Sequence, residues 1–456
     1  MIEKWNLNME EAKVWLTLGG SVLFSFLLAI LVISLDTRLI TLIEYFPAWT
    51  LTSVDLAREI LSLLAGSLFS VATFTFATML TIVTLYTSNF SPRATENFLL
   101  NRVSIQTLGV FLGGFIYCLS SLFFMRSSED EFLVVSATVA LVYAFGAVIM
   151  FTRFVYSSSQ YVQLEKLIHN LYSEAETVYQ NYIKRFEDYR TVKHLPEVEY
   201  MYTYTIKANR SGYIEHIHFD YLKSMAVETE SLSEVKIRVG EFVSEGEPVV
   251  EIRSNKNIED FVDLTEKVNR GFSYEEQKSA MYDPDYARIK LTEVALRAVS
   301  PGINDPNTAI HILHYKSLLE KRLAALPGKY VLMWESDETL EDKEESPELY
   351  EGKVFYRYND FSEDLYKGYW QLVFYMQKDI SGVHALFEAV KTIVYPAHPD
   401  NLGFIKEYND YLYNMTSKNF DEQFDLMIIE KDYERIKAII AKKENENKES
   451  DKKEAV

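Results

Sequence analysis

Apolar positions are not spread evenly along this chain. They crowd into its first third as four long runs, and the remaining two thirds carry shorter amphipathic patterns. The runs fall at about residues 14–35, 60–92, 103–125 and 132–152. A helix of about 20 apolar residues crosses the hydrocarbon of a bilayer, so each run predicts a transmembrane span. The second run is the longest. Arg58, Glu59 and Arg93 bracket it, and no charge interrupts it. Within it, Ser67, Ser70, Thr73, Ala77, Thr81, Thr84 and Ser88 follow one another at steps of three and four, which places them on one helical face. Leu68, Phe69, Phe76, Leu80 and Ile82 lie largely elsewhere on the helix. In a membrane, a small and weakly polar stripe either lets another helix approach closely or meets water in a pore or cavity. Close packing is the commoner of the two.

The first run is too long for the apolar core of a signal peptide, and no small-residue cleavage pattern follows it. It predicts a retained span. The third run carries Gly109 and Gly113, a spacing that suits close helix contact, and the fourth offers Ala140, Ala144 and Ala147. Basic residues set the orientation. Lys4, Lys13, Arg93, Arg102 and Arg153 flank one side, whereas the loop 126–131 sets Glu129, Asp130 and Glu131 against Arg126. The bias predicts a multi-pass plasma-membrane protein with both termini, the 87–106 loop and the large C-terminal part in the cytoplasm.

Residues 158–195 then read as an amphipathic connecting helix. Leu164, Ile168, Leu171, Ala175, Val178 and Tyr182 form a seam that suits either self-association or packing on the chain's own domain. Pro196 breaks it. Residues 199–256 read as a β-rich module, with turn signals at Arg210–Gly212 and Glu245–Pro248. The segments 211–217 and 239–250 resemble the half-repeats of lipoyl-type, barrel-sandwich domains, which implies a small β-barrel-like module. Lys223, the nearby lysine, does not sit in the attachment pattern of that class, so the module is read as structural, without a cofactor. Residues 257–442 read as a helical cytoplasmic domain. Its loop 335–351 holds nine acids against Lys343 alone. The charged tail 443–456 reads as disordered. The fold class is a multi-domain α+β membrane protein with four N-terminal transmembrane helices and a soluble region of strands and helices.

Charge and composition narrow the function. A formal net charge of -20 over 456 residues offers no basic stripe for nucleic acid. Cys118 is the single cysteine, which rules out a disulfide framework within the chain. The pairs His216 and His218, and His311 and His314, each lack the further ligands that a metal site requires. No nucleophile elbow, phosphate loop, zinc motif or nucleotide fingerprint is present, so neither catalysis nor a cofactor is expected.

A corner in the C-terminal part is the most distinctive local pattern. Arg297, Ser300, Pro301, Gly302, Asn304, Asp305 and Pro306 read as the end of one helix, a tight turn and the start of the next. Asp305 is a natural N-cap and Pro306 suits the first helical position. A cap with a turn explains these residue types; binding of a cation or a ligand amide is the sharper alternative. The stretch Ala295–Thr308 resembles the signature of an uncharacterised family of predicted bacterial membrane proteins, known as domain of unknown function 2254. Phe90-Ser91-Pro92-Arg93 and Leu108–Cys118 are similar to that family too, and the likeness covers roughly residues 10–430. The resemblance implies four N-terminal spans and a soluble C-terminal part, and supplies no activity. The expected function is a homo-oligomeric ion channel or pore-like protein in the lipid bilayer with a cytoplasmic regulatory domain. A non-conducting membrane-anchored sensor or scaffold, binding an unidentified soluble partner or ligand, is the alternative.

Overall fold

A computed structural model describes residues 2–39, 46–89, 102–125, 133–161, 164–278, 282–334 and 347–454. The chain divides into two compact units, residues 1–167 and 168–456.

The first unit is helical. It holds α1 (Ile2–Asp36), a short strand β1 (Thr52–Ser53), α2 (Val54–Asn89), α3 (Arg102–Phe124), β2 (Leu133–Val134) and α4 (Ser136–Tyr161). Among the described residues, four segments are long and apolar enough to cross a membrane: Val14–Asp36, Val54–Leu85, Arg102–Phe124 and Ser136–Ser159. Helix α3 is the hub because its glycines leave no side chain in the way. A Cβ on Gly109 would lie 2.9 Å from Ser21 Oγ of α1, and one on Gly113 would lie 2.4 Å from Ser25 Oγ. One on Gly114 would meet Leu68 of α2 and Tyr143 of α4 at 2.9 and 2.7 Å.

The helix ends in this unit are joined by polar contacts. The Asp36 carboxylate accepts from the backbone N–H groups of Val135 and Ser136 at 2.8 and 3.3 Å, so α1 caps the start of α4. The buried Tyr117 hydroxyl donates to Ser136 O at 2.9 Å. Strands β1 and β2 pair antiparallel, Thr52 opposite Val134. That pairing shifts the fourth span relative to its sequence expectation. Leu133 and Val134 extend as a strand, and the helix begins at Ser136 rather than 132. The second span likewise starts at Val54, because Asp55, Arg58 and Glu59 are absorbed into the first turns of α2. The Ser-Pro-Arg exit and the acidic loop 126–131 lie outside the described residues.

The second unit holds all but the first four residues of α5 (Leu164–Phe186) and continues through β3 (Arg190–Val192), β4 (Tyr202–Lys207), β5 (Gly212–Ile217), α6 (Phe219–Glu228), β6 (Ser231–Val235), β7 (Phe242–Val243), β8 (Pro248–Ser254), α7 (Phe261–Arg270), β9 (Phe272–Glu275), α8 (Pro284–Ala298), α9 (Pro306–Ala324), β10 (Tyr330–Met333), β11 (Lys353–Tyr356), α10 (Phe361–Met376), α11 (Ile380–Val394), α12 (Pro399–Thr416) and α13 (Gln423–Glu454). The strands form two open sheets, β3-β10-β11-β6-β8-β4 and β7-β5-β9. This corrects the expected small closed barrel over 199–256. Strand β6 pairs on one side with β8 and on the other, in parallel, with β11, more than a hundred residues away. The alternation of residues marks a strand but does not name its partner.

Period-two alternation sorts the sheet faces. Val331, Met333, Val354 and Tyr356 join a large core with Tyr182, Phe186 and Phe219, whereas Leu332 and Phe355 join Leu232 in a smaller cluster on the other face. The α5 seam is buried at Ile168, Leu171, Ala175, Val178 and Tyr182, with Leu164 half-buried, and its last turns join this core through Tyr182 and Phe186. Of the two expectations for the seam, packing within the chain's own unit accounts for these residues. Helix α13 continues to Glu454, through most of the segment that composition assigns to a disordered tail. Residues 335–346 of the acidic loop lie outside the described residues.

Candidate functional site

The stripe on α2 faces outward from the first unit. Leu61, Ala65, Leu68, Ala72, Met79 and Ile82 form the buried face of the helix, and Ser67, Ser70, Thr73, Ala77, Thr81 and Thr84 are exposed. The side chain of Ser88 lies outside the described residues. Among the described residues, no helix of the same unit covers these positions. Their hydroxyls are not idle, however. Ser67 donates to Leu63 O, Ser70 to Gly66 O, Thr73 to Phe69 O, Thr81 to Ala77 O and Thr84 to Leu80 O, all at 2.8–3.0 Å. A hydroxyl has one proton and two acceptor lone pairs. With the proton committed to the helix, the stripe turns oxygen lone pairs outward.

The family-signature corner is an exposed turn between α8 and α9. Val299 follows α8, Asn304 takes a left-handed backbone (φ 51°), and Asp305 N–H bonds back to Ala298 O at 2.8 Å. Asp305 caps α9: its carboxylate accepts from Thr308 N at 3.2 Å and Thr308 Oγ1 at 2.6 Å. Ser300 Oγ donates to Arg297 O at 2.6 Å. Pro301 and Gly302 are exposed, and Pro306 stands at the first turn of α9. Capping therefore engages both oxygens of Asp305, and Arg297 projects from the exposed side of α8.

The two histidine pairs separate. His311 and His314 are exposed on α9, with His311 edge-on to Tyr315 at 5.1 Å. His216 and His218 come together at the end of β5, ring centroids 4.5 Å apart, and His218 Nε2 contacts Ser273 Oγ at 3.1 Å. Among the described residues, no group of three or more His, Cys, Asp or Glu is placed to hold a metal ion.

Sequence reasoning missed the most concentrated chemistry in the second unit. Arg238, after β6, reaches both carboxylate oxygens of Asp364 on α10 at 2.8 and 3.0 Å. Arg288 of α8 bonds Asp285 at 2.7 Å, Glu320 of α9 at 3.0 Å and Asp364 O at 2.6 Å. Lys316, fully buried on α9, lies 3.6 Å from Glu320 and sits over the Tyr369 ring at 4.8 Å. Desolvation pushes its ammonium down to about 7, against the pull of Glu320. Asp283, the N-cap of α8, is buried 3.6 Å from Lys278, and burial together with Asp285 pushes its carboxyl up to about 6. These charges are paired between separate segments of chain; Asp283, Arg288, Lys316, Glu320 and Asp364 are nearly closed to solvent, whereas Asp285 and Lys278 are partly exposed. They cross-brace the sheet and the helices rather than line an open site. One sequence signal was available: Lys316 and Glu320 interrupt the apolar face Ile312, Leu313, Leu319 and Leu323 at i, i+4 spacing, which only a paired charge tolerates.

The profile of the family described as "Predicted membrane protein (DUF2254)" matches residues 11–392, most of the chain. An uncharacterized protein of Mycobacterium bovis is 23% identical over 289 residues, covering 59% of this chain and 53% of the relative. An uncharacterized protein of Mycobacterium tuberculosis matches to the same extent. The chain thus spans about half the length of the curated relatives it matches. No solved structure matches the chain.

Proposed function

Starting from the premise that this chain belongs to the DUF2254 family of predicted membrane proteins, we propose that it is a homo-oligomeric, pore-like membrane protein in which α2 lines a shared path. The observation that carries this reading is the outward Ser/Thr face of α2. Within its own unit the face is uncovered, and small residues at helical spacing favour close approach of another backbone. Outward-turned hydroxyl oxygens would favour hydrated cations over anions along such a path. In this reading both termini and the second unit are cytoplasmic, the second unit regulates the path, and the chain performs no catalysis.

A specific observation also favours the second reading, a non-conducting anchored sensor or scaffold. Each described stripe hydroxyl already satisfies its own helix, so the face needs no water and could meet lipid or another helix instead. Imaging the purified protein in lipid, with ion flux measured in vesicles, separates the two. The pore-like reading expects an oligomer with α2 at its axis and measurable flux; a monomer in lipid overturns it. Thr81→Leu sharpens the test, because it keeps assembly and lowers flux if the face lines water, and lowers assembly if the face packs.

A further inference from the structure

Where α5 ends, β5 ends and α6 begins, the second unit opens a cleft of about 410 Å³. Its chemistry is cationic and aromatic. Arg185 enters from α5, held at 3.0 Å to Ile217 O and laid across the Phe219 ring at 5.0 Å. His216 and His218 enter from β5. The first turn of α6, from Phe219 to Tyr221, forms one wall, and no side chain caps it. A helix start with uncapped N–H groups attracts anions.

We propose that this cleft binds a phosphate-type oxyanion carried on a small organic molecule, with Arg185, the two histidines and the start of α6 as its cradle.

Four observations converge. A guanidinium and two imidazoles share one cavity, so an anion seated there meets one fixed positive charge and two groups that can take up a proton. Burial first, and the Arg185 charge beside it, lower both imidazoles, His216 to about 4, so an anion that restores their protons has something to act on. The other charges around the pair do not spoil the site. Asp220, on the first turn of α6, is engaged by Lys223 at 2.9 Å, and Lys223 also reaches the Tyr189 hydroxyl at 3.3 Å. Tyr282 packs edge-on to His216 at 5.2 Å, and Glu215 and Asp283 line a separate small cavity beside it. Finally, the cleft is far larger than one oxyanion, and Tyr189, Tyr221 and Met333 line the remaining space. Flat aromatic walls suit the organic part of the ligand. This inference does not depend on whether the protein conducts.

The test is a calorimetric titration of the full-length protein in detergent with sulfate, which keeps both its charges across the relevant pH range. Binding should tighten by about tenfold or more from pH ~8 to pH ~5.5, because an anion that favours the imidazolium forms must take up protons. Arg185→Gln and His216→Asn should each weaken binding by about tenfold or more, a loss of about 1.4 kcal/mol, with little change in melting temperature. If Arg185→Gln does not fold, the His216→Asn and His218→Asn variants carry the same test. Absence of sulfate binding up to about 20 mM, or binding unchanged in the folded variants, overturns the proposal. Glycerol phosphate and vesicles of phosphatidic acid then identify the source: tighter binding of the first supports a soluble monoester, and of the second a lipid headgroup.

Discussion

Arg238 and Asp364, 126 positions apart in sequence, meet in a two-pronged contact in which both terminal guanidinium nitrogens reach the carboxylate, at 2.8 and 3.0 Å. The two side chains are nearly closed to solvent, 13% and 3% exposed, so the pair is protected from the screening that weakens surface ion pairs. It ties the end of β6 to α10.

Removing one partner strands the other. Asp364→Ala is expected to destabilise the second unit by about 3–5 kcal/mol, because the Arg238 charge stays buried without its partner. Replacing both, with Arg238→Met and Asp364→Leu, should cost clearly less than the single change. Melting temperatures of the purified variants check the order. Equal loss in the single and double variants would show that the pair is not a unit.

Lys316 gives the fold a signed pH dependence. Its folded value is near 7, below the ordinary 10.5 that the unfolded chain retains. Between these values the unfolded state holds the proton and the folded state does not, so stability should rise with pH across this window. Below it, both states are protonated and the cost of burying the charge is fully felt. Lys316→Met should remove that rise, and thermal melting of both proteins from pH about 7 to 10 reads the difference.

Gly240 and Gly246 form a matched pair of positions. Both have positive φ, at 85° and 88°. A Cβ on Gly240 would sit 1.9 Å from the Asp283 carboxylate, whereas one on Gly246 meets nothing within 4 Å. Gly246→Ala should cost about 1–2 kcal/mol from backbone strain alone. Gly240→Ala should cost clearly more, because the N-cap of α8 must also move. Side-by-side melting curves check the ranking, and equal losses would contradict it.

In the first unit, glycine position predicts effect. Gly113→Val drives a side chain into Ser25 and Tyr143, so α1 and α4 should separate from α3 and the folded yield in detergent should fall. Gly66 lies on the outward side of α2 with nothing within 4 Å, so Gly66→Ala should leave the monomer intact. Size-exclusion profiles after mild heating distinguish the two. If Gly66→Ala changes oligomer size alone, α2 is the assembly face.

The polar face of α2, the four spans and the α8–α9 corner were all legible in the sequence. Each depends on interactions within a few residues: a run of apolar side chains long enough for a bilayer, a period near 3.6, or an Asp-Pro cap. The β-strands were legible as strands for the same reason, since Tyr202, Tyr204 and Ile206 alternate.

Partnership was not legible. Nothing in residues 199–256 announces that β6 pairs with β11, and the half-repeat likeness suggested closure into a barrel where the structure has open sheets. The α5 seam fitted two partners equally until its residues were seen buried in the core of the second unit.

What the sequence determined by itself was local: which segments are long and apolar enough to cross a membrane, which positions share a face, and where caps and turns punctuate the chain. What only the tertiary structure decided was where charge resides. Arg238, Asp285, Arg288 and Asp364 look in the chain like ordinary solvated residues, and so do Arg185, His216 and His218; only Lys316 and Glu320, set in an apolar face, hint at burial. Their energies depend on distance and dielectric rather than on neighbours in sequence, and folding alone sets both. It also turned the Ser/Thr face of α2 away from its own unit, because the opposite face, Leu61 to Ile82, is the one that packs.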